Sequence, residues 1–205
     1  MTAPPLVYVI GPSGVGKDSI MTIARAACDP EAVAFAHRYI TRPPQPGDEN
    51  HIALSEAEFA ARQRAGWFAL AWRSHGLGYG IGREIDLWRA NGAMVVVNGS
   101  RAYLEEAAAR YPDLVPVLVT ADPEVLRARL QARQRESAAD IDARLRAAAA
   151  TPVRHPRLKT IDNSGTLAAS GEAFMRLLAV LQHEWVTGSG AAKAPTPIAT
   201  AGVRL

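Results

Sequence analysis

The chain has 205 residues, 48% hydrophobic and 21% charged, a balance that buries a core and argues against a disordered polypeptide. Its one cysteine, Cys28, excludes an intramolecular disulfide, and no apolar run reaches the ~18–20 residues that cross a bilayer. With no basic segment ahead of the first apolar stretch and a net charge of only +3, the expectation is a cytoplasmic protein without membrane or nucleic-acid partners.

Taken in chain order, Leu6–Ile10 is a short apolar run that ends at Gly11 and predicts a buried strand. Residues 17–28 predict a helix with Ile20, Ile23, Ala24 and Ala27 on one face. Val33–Thr41 reads as a second strand, and Gly76–Gly80 as a turn. Ser55 and Glu58 form a capping box that opens a helix to about Ala65. Ala93–Val97 and Val115–Thr120 are β-branched runs, each followed by a helical pattern. Asp122 and Pro123 supply an N-cap and a first-turn proline for a helix over 124–135. A further helix spans Ser137–Ala150 and stops at Thr151-Pro152; Leu158–Asp162 is the last strand. Phe174, Leu177, Leu178, Leu181 and Trp185 recur at helical spacing, so the final helix lies on the core. The stretch 188–205 is Gly, Ser, Ala, Pro and Thr, too poor in apolar surface to order itself, and is expected to be a flexible tail. Five strands alternating with helices predict one α/β domain over 1–187, a parallel sheet with helices on both faces.

The segment Gly11-Pro12-Ser13-Gly14-Val15-Gly16-Lys17-Asp18-Ser19 carries the most chemistry. Glycines at 11, 14 and 16 let successive N–H groups point into one concavity, and the following helix adds the positive end of its dipole. Lys17 would meet the terminal phosphates of a nucleotide as a point charge. In the usual motif the lysine is followed by a Ser or Thr that holds Mg²⁺. Asp18 stands there instead, and Ser19 comes one later. A carboxylate is a hard oxygen ligand, and the strand ending at Val97 runs into Asn98 rather than an acid, so Asp18 is the expected metal contact.

Beyond the loop, Thr41-Arg42-Pro43-Pro44, Ser55-Glu56 with Glu58-Phe59, Gly76 through Tyr79-Gly80, and Arg129-Leu130 through Arg144-Leu145 resemble the guanylate-kinase-like P-loop kinases over residues 6–185. That resemblance implies a P-loop α/β fold with an acceptor-binding insertion over about 37–92 and an arginine-rich lid over about 127–150. The acceptor pocket departs from guanylate kinases. Leu70 stands near the base-reading glutamate, Ile81 near a small hydroxyl residue, Gln45 near an arginine, and His51 near a phosphate-binding tyrosine. A guanine edge facing Leu70 and Ile81 would leave donors unpaired, at about 1–3 kcal/mol per group.

Those departures form a pattern of their own. Asp18-Ser19 in the loop, Ala36-His37-Arg38-Tyr39-Ile40-Thr41-Arg42, Glu49-Asn50-His51-Ile52-Ala53-Leu54, Glu84-Ile85-Asp86-Leu87-Trp88 and Val97-Asn98-Gly99-Ser100-Arg101 resemble the ribose 1,5-bisphosphate phosphokinases. The resemblance implies ATP-dependent, Mg²⁺-assisted phosphorylation of ribose 1,5-bisphosphate to 5-phosphoribosyl 1-diphosphate with release of ADP, and a place in phosphonate degradation. It implies that Arg42, Arg73, Arg101 and His51 clamp the acceptor, helped by Arg38 and Tyr79. It also implies that Arg133 and Arg144 close over the phosphates as lid arginines and that Asn163 lies near the adenine. Of the 23 basic residues only Lys17, Lys159 and Lys193 are lysines, and planar arginine forks suit phosphate oxygens. The competing readings are a nucleoside monophosphate (guanylate) kinase and a non-catalytic guanylate-kinase-like interaction module, and the sequence leaves room for a homo-oligomer.

Overall fold

A computed structural model describes residues 3–43, 51–132, 137–150 and 152–189. Five parallel strands form the central sheet: β1 (Leu6–Ile10), β2 (Val33–Phe35), β7 (Met94–Asn98), β8 (Val115–Thr120) and β9 (Lys159–Asp162), in the order β2-β7-β1-β8-β9. Between β2 and β7 the chain builds a second sheet from β3 (Arg38–Ile40), β4 (Ile52–Ala53), β5 (Phe68–Ser74) and β6 (Leu77–Gly82), in the order β4-β3-β6-β5. The helices are α1 (Lys17–Ala27), α2 (Glu56–Arg64), α3 (Glu84–Ala90), α4 (Leu104–Arg110), α5 (Pro123–Ala132), α6 (Ala138–Ala150) and α7 (Leu167–Ser189). Among the described residues, no helix is long and apolar enough to cross a membrane.

The two-residue period of a strand sorts β1 onto both faces. Val7 and Val9 join the core beneath α1, α5 and α7, where Ile20, Leu126 and Phe174 lie; Leu6, Tyr8 and Ile10 join the opposite core with Ile85, Leu104 and Trp72. Every β1 residue is buried, as a central parallel strand covered on both sides requires. At β1 the order turns from β7 on one side to β8 on the other, and the loop after β1 opens where these neighbours diverge.

Several expectations need correction. Val33–Thr41 is two strands. Ala36 N–H donates to Val96 O, closing the β2–β7 ladder, and Arg38–Ile40 then pairs antiparallel with Ile81–Tyr79 in the other sheet. The polar pair His37-Arg38 interrupts the run where the chain changes sheets, but which strand each half meets is decided by what lies alongside. The segment Gly76–Gly80 is not a turn: the turn is His75-Gly76, with φ of 50° and 75°, and Leu77–Gly82 is a strand. Gly78 and Gly80 serve that strand because the rings of Phe59 and Phe68 lie over them; a Cβ at Gly80 would meet Phe68 at 2.6 Å. The final helix continues to Ser189, two residues into the stretch expected as tail, and 190–205 lie outside the described residues. The expected capping box forms, with Ser55 Oγ accepting from Glu58 N–H at 3.1 Å, and a second one not singled out in the sequence joins Ser137 and Asp140 before α6.

Candidate active site

The phosphate-loop end of the candidate site is built by backbone. Gly14 and Gly16 take φ of 85° and 97°, a left-handed conformation in which L side chains are strained. Space forbids a side chain there too: a Cβ would come within 2.7 Å of Leu130 at Gly14 and 2.4 Å of the Asn163 amide at Gly16. The loop is therefore wedged between α5 and the turn after β9. No side chain caps the start of α1, so its first N–H groups remain directed into the loop's concavity. Lys17 Nζ donates to Gly11 O and Pro12 O, each at 3.0 Å, which holds the ammonium across the loop.

Next to the lysine, Asn98 Nδ2 donates to Asp18 Oδ1 at 2.6 Å. Asn98 is 4% exposed at the carboxyl end of β7, so a buried amide fixes the orientation of the carboxylate at the mouth of the loop. Asp18, Asn98 and Arg38 line one small cavity of about 50 Å³. A larger cavity, about 510 Å³, runs along β2 beside Phe35 and Trp88; no phosphate-loop residue lines it, so size is a poor guide to the chemistry here.

The other end of the candidate site is built by side chains carried by both sheets. Arg38 leaves β3 and stacks its guanidinium over the Tyr79 ring, 5.2 Å from the centroid. Thr41 Oγ1 accepts from Gly78 N–H at 2.8 Å and anchors the segment that carries Arg42 to β6. His51, 9% exposed, donates from Nε2 to Arg42 O at 3.1 Å, so it braces the arginine's backbone. Arg101 follows a turn pinned to the core: Ser100 N–H donates to the Tyr8 hydroxyl at 2.9 Å, and Gly99 lies flat against that ring. Burial lowers the pKa of the Arg101 guanidinium and raises that of the Tyr8 phenol, so the phenol stays protonated as a fixed support. Leu70 and Ile81 pair across β5 and β6 at 1% and 0% exposure. Apolar packing thus closes the volume between these strands.

No family model matches the chain. It is 55% identical over 174 residues to the ribose 1,5-bisphosphate phosphokinase PhnN of Desulfomicrobium baculatum, which spans 84% of this chain and 93% of that one. Identity to the ribose 1,5-bisphosphate phosphokinase PhnN of Thiobacillus denitrificans is 54% over 182 residues, spanning 87% and 94%. The chain belongs to the ribose 1,5-bisphosphate phosphokinase family. Solved structures place the family's fold: a guanylate kinase from Anaplasma phagocytophilum superposes with a TM-score of 0.58 at 15% identity, covering 88% of this chain and 87% of that one. The fold is accordingly the guanylate-kinase-like α/β arrangement expected from the phosphate loop.

The other expected site residues fall in three places. Arg73 lies on β5 in an ion pair with Glu56 at 2.9 Å, both more than half exposed, with its guanidinium above Phe59. That bond holds the Glu56 carboxyl below its ordinary pKa. Asn163 is 1% exposed beneath the loop, where Nδ2 donates to Val15 O at 2.7 Å and its own N–H donates to Thr120 O at 2.8 Å. Arg144 is half-buried on α6, while Arg133 lies outside the described residues.

Sequence reasoning singled out neither Arg129, whose Nη1 donates to Val15 O at 3.4 Å, nor Asn98 as the partner of Asp18. A signal for Asn98 existed: it is the polar residue that ends a buried strand beside the loop. It also missed Trp72 and Tyr103, whose rings meet only once the two sheets pack.

Proposed function

We propose that this chain transfers the γ-phosphoryl group of ATP to ribose 1,5-bisphosphate. An oxygen of the acceptor's 1-phosphate attacks the γ-phosphorus, the bond to the β–γ bridging oxygen breaks, and ADP leaves with 5-phosphoribosyl 1-diphosphate as the product. The acceptor oxygen is already anionic near neutral pH, so the protein's task is alignment and charge neutralisation more than proton removal. Gly11, Ser13, Gly14, Val15 and Gly16 wrap the donor phosphates with backbone N–H groups, Pro12 shapes the turn without donating, Ser19 follows at the helix start, and Lys17 turns from its loop carbonyls to the terminal phosphates. Asn163 and Arg129 hold the loop from beneath through Val15 O.

Asp18 fits a magnesium ion as a hard carboxylate oxygen held in place by Asn98 on the cavity that Arg38 also lines. Among the described residues, no group of three or more His, Cys, Asp or Glu is placed to hold a metal ion, which suits an ion that arrives on the nucleotide's own phosphates. Magnesium there would neutralise charge on the donor phosphates as it builds. Arg38, Arg42 and Arg101 grip the acceptor's phosphates, with Tyr79 and His51 holding Arg38 and Arg42 in place. Arg73 reaches the same acceptor by exchanging Glu56 for phosphate, and Arg133 and Arg144 close from the lid.

The observation that carries the choice of acceptor is the Leu70–Ile81 pair. Both side chains are hydrocarbon and buried in the core, so neither offers a nucleobase the hydrogen-bonding partner it would need. ADP release measured side by side with ribose 1,5-bisphosphate and with GMP tests the reading. Turnover with the sugar bisphosphate and little with GMP is expected; preference for GMP would overturn it.

A further inference from the structure

Four side chains from separate parts of the chain form one continuous stack. Arg38 on β3 lies 5.2 Å from the Tyr79 centroid; Tyr79 and Trp72 are direct partners across β6 and β5, with rings 5.6 Å apart and only 5° from parallel. Trp72 in turn stacks on Tyr103 at 5.6 Å and 24°. Tyr103 belongs to the 3₁₀ turn Arg101–Tyr103 that follows β7, so the last step crosses from the second sheet to the central one. Arg38, an expected phosphate-binding arginine, lies on the first ring, and Arg101, another, opens the short turn that carries the last ring. The Tyr8 phenol lies within electrostatic reach of both Arg38 and Tyr103. Trp72 is 8% exposed, sandwiched by two rings, with little surface left to touch a ligand.

We infer that the Tyr79–Trp72–Tyr103 stack is a spacer that fixes Arg38 relative to Arg101, so that the site selects a small sugar phosphorylated at both ends. Trp72 is its central positioning residue. The inference rests on ribose 1,5-bisphosphate being the acceptor. Rigid aromatic faces resist shear and bending, so the two cations are held at a set separation before the acceptor arrives, and less ordering remains to be done on binding. A ligand with one phosphate uses one end and gains little from the spacing. A ligand with two needs both ends at once.

The test uses the full chain with Trp72→Leu, Trp72→Phe and Tyr103→Leu. Trp72→Leu is expected to raise KM for ribose 1,5-bisphosphate about tenfold while kcat changes less than about threefold. Binding of a non-hydrolysable ATP analogue should not move, and the inhibition constant of ribose 5-phosphate should rise far less than KM. Trp72→Phe keeps a ring in the stack and should restore most of the lost affinity. Should Trp72→Leu fail to fold, Tyr103→Leu at the half-buried end decides the matter, with an expected KM increase of about threefold. An unchanged KM in a cooperatively melting variant, Phe as damaging as Leu, or parallel loss of ATP-analogue binding would overturn the inference. Wild-type inactivity on ribose 1,5-bisphosphate would instead remove the acceptor reading, and the spacer with it.

Discussion

The donor and acceptor halves of this site are made in different ways. The donor half is nine consecutive residues, 11–19, whose glycine conformations and helix start are dictated locally and then clamped by Leu130 and Asn163. The acceptor half draws Arg38, Arg42, Tyr79 and Arg101 from two sheets, with their placement set by strand pairing, a hydroxyl contact and stacked rings. On the proposed reading the donor phosphates meet backbone N–H groups and Lys17, and the acceptor's phosphates meet side chains alone. The first kind of site depends on the loop's shape and on Lys17, whereas the second is tuned residue by residue.

The sharpest way to break the contrast is Lys17→Met. It should lower kcat/KM by about a thousandfold, roughly 4 kcal/mol of transition-state stabilisation, with the binding of ribose 1,5-bisphosphate in the absence of nucleotide unchanged by calorimetry. Equal loss of acceptor binding would mean that the halves are not separate.

Within the acceptor half, Arg42→Ala should raise KM for ribose 1,5-bisphosphate by about thirtyfold, and Arg73→Ala by about threefold, in steady-state kinetics. The difference follows from the environments. Arg42 is braced by His51 and the anchored Thr41 segment, while Arg73 shares an exposed ion pair of a kind worth only about 0–1 kcal/mol. Matching effects would make Arg73 an equal member of the clamp.

Asn98 lies between the halves. Asn98→Ala frees the Asp18 carboxylate from its orienting donor, and the Mg²⁺ concentration for half-maximal turnover should rise about tenfold. Manganese resonance spectra of the nucleotide complex should weaken in step, and unchanged metal dependence would remove Asp18 from the metal's shell. The smallest effect is expected from Ser55→Ala, which strips the cap from α2. Thermal denaturation should show a loss of about 1 kcal/mol, with the donor side untouched in ATP-analogue titrations.

The same division explains what the sequence could reveal. The phosphate loop, the buried β1, the capped start of α2, and β8 follow from neighbours in the chain, so composition and spacing display them. The split of Val33–Thr41 falls at Ala36-His37, just ahead of Arg38, but the partners of its two halves and of the β5–β6 hairpin depend on which strand lies alongside, which spacing within the chain does not display. Gly78 and Gly80 read as turn residues until the rings of Phe59 and Phe68 are seen to need their flat backbone. Arg38 and Arg101 could be named from their motif. Their support on Tyr79 and Tyr8 could not be, because those contacts join residues 41 and more than 90 positions apart.

The most direct measurement is a crystal structure of the chain with ribose 1,5-bisphosphate and a non-hydrolysable ATP analogue bound together. The account predicts the terminal donor phosphate against Lys17 and the loop's N–H groups, with the acceptor's phosphates within hydrogen-bonding distance of Arg38, Arg42 and Arg101. A sugar bisphosphate seated in the cavity along β2, or one that leaves those three arginines untouched, would contradict it.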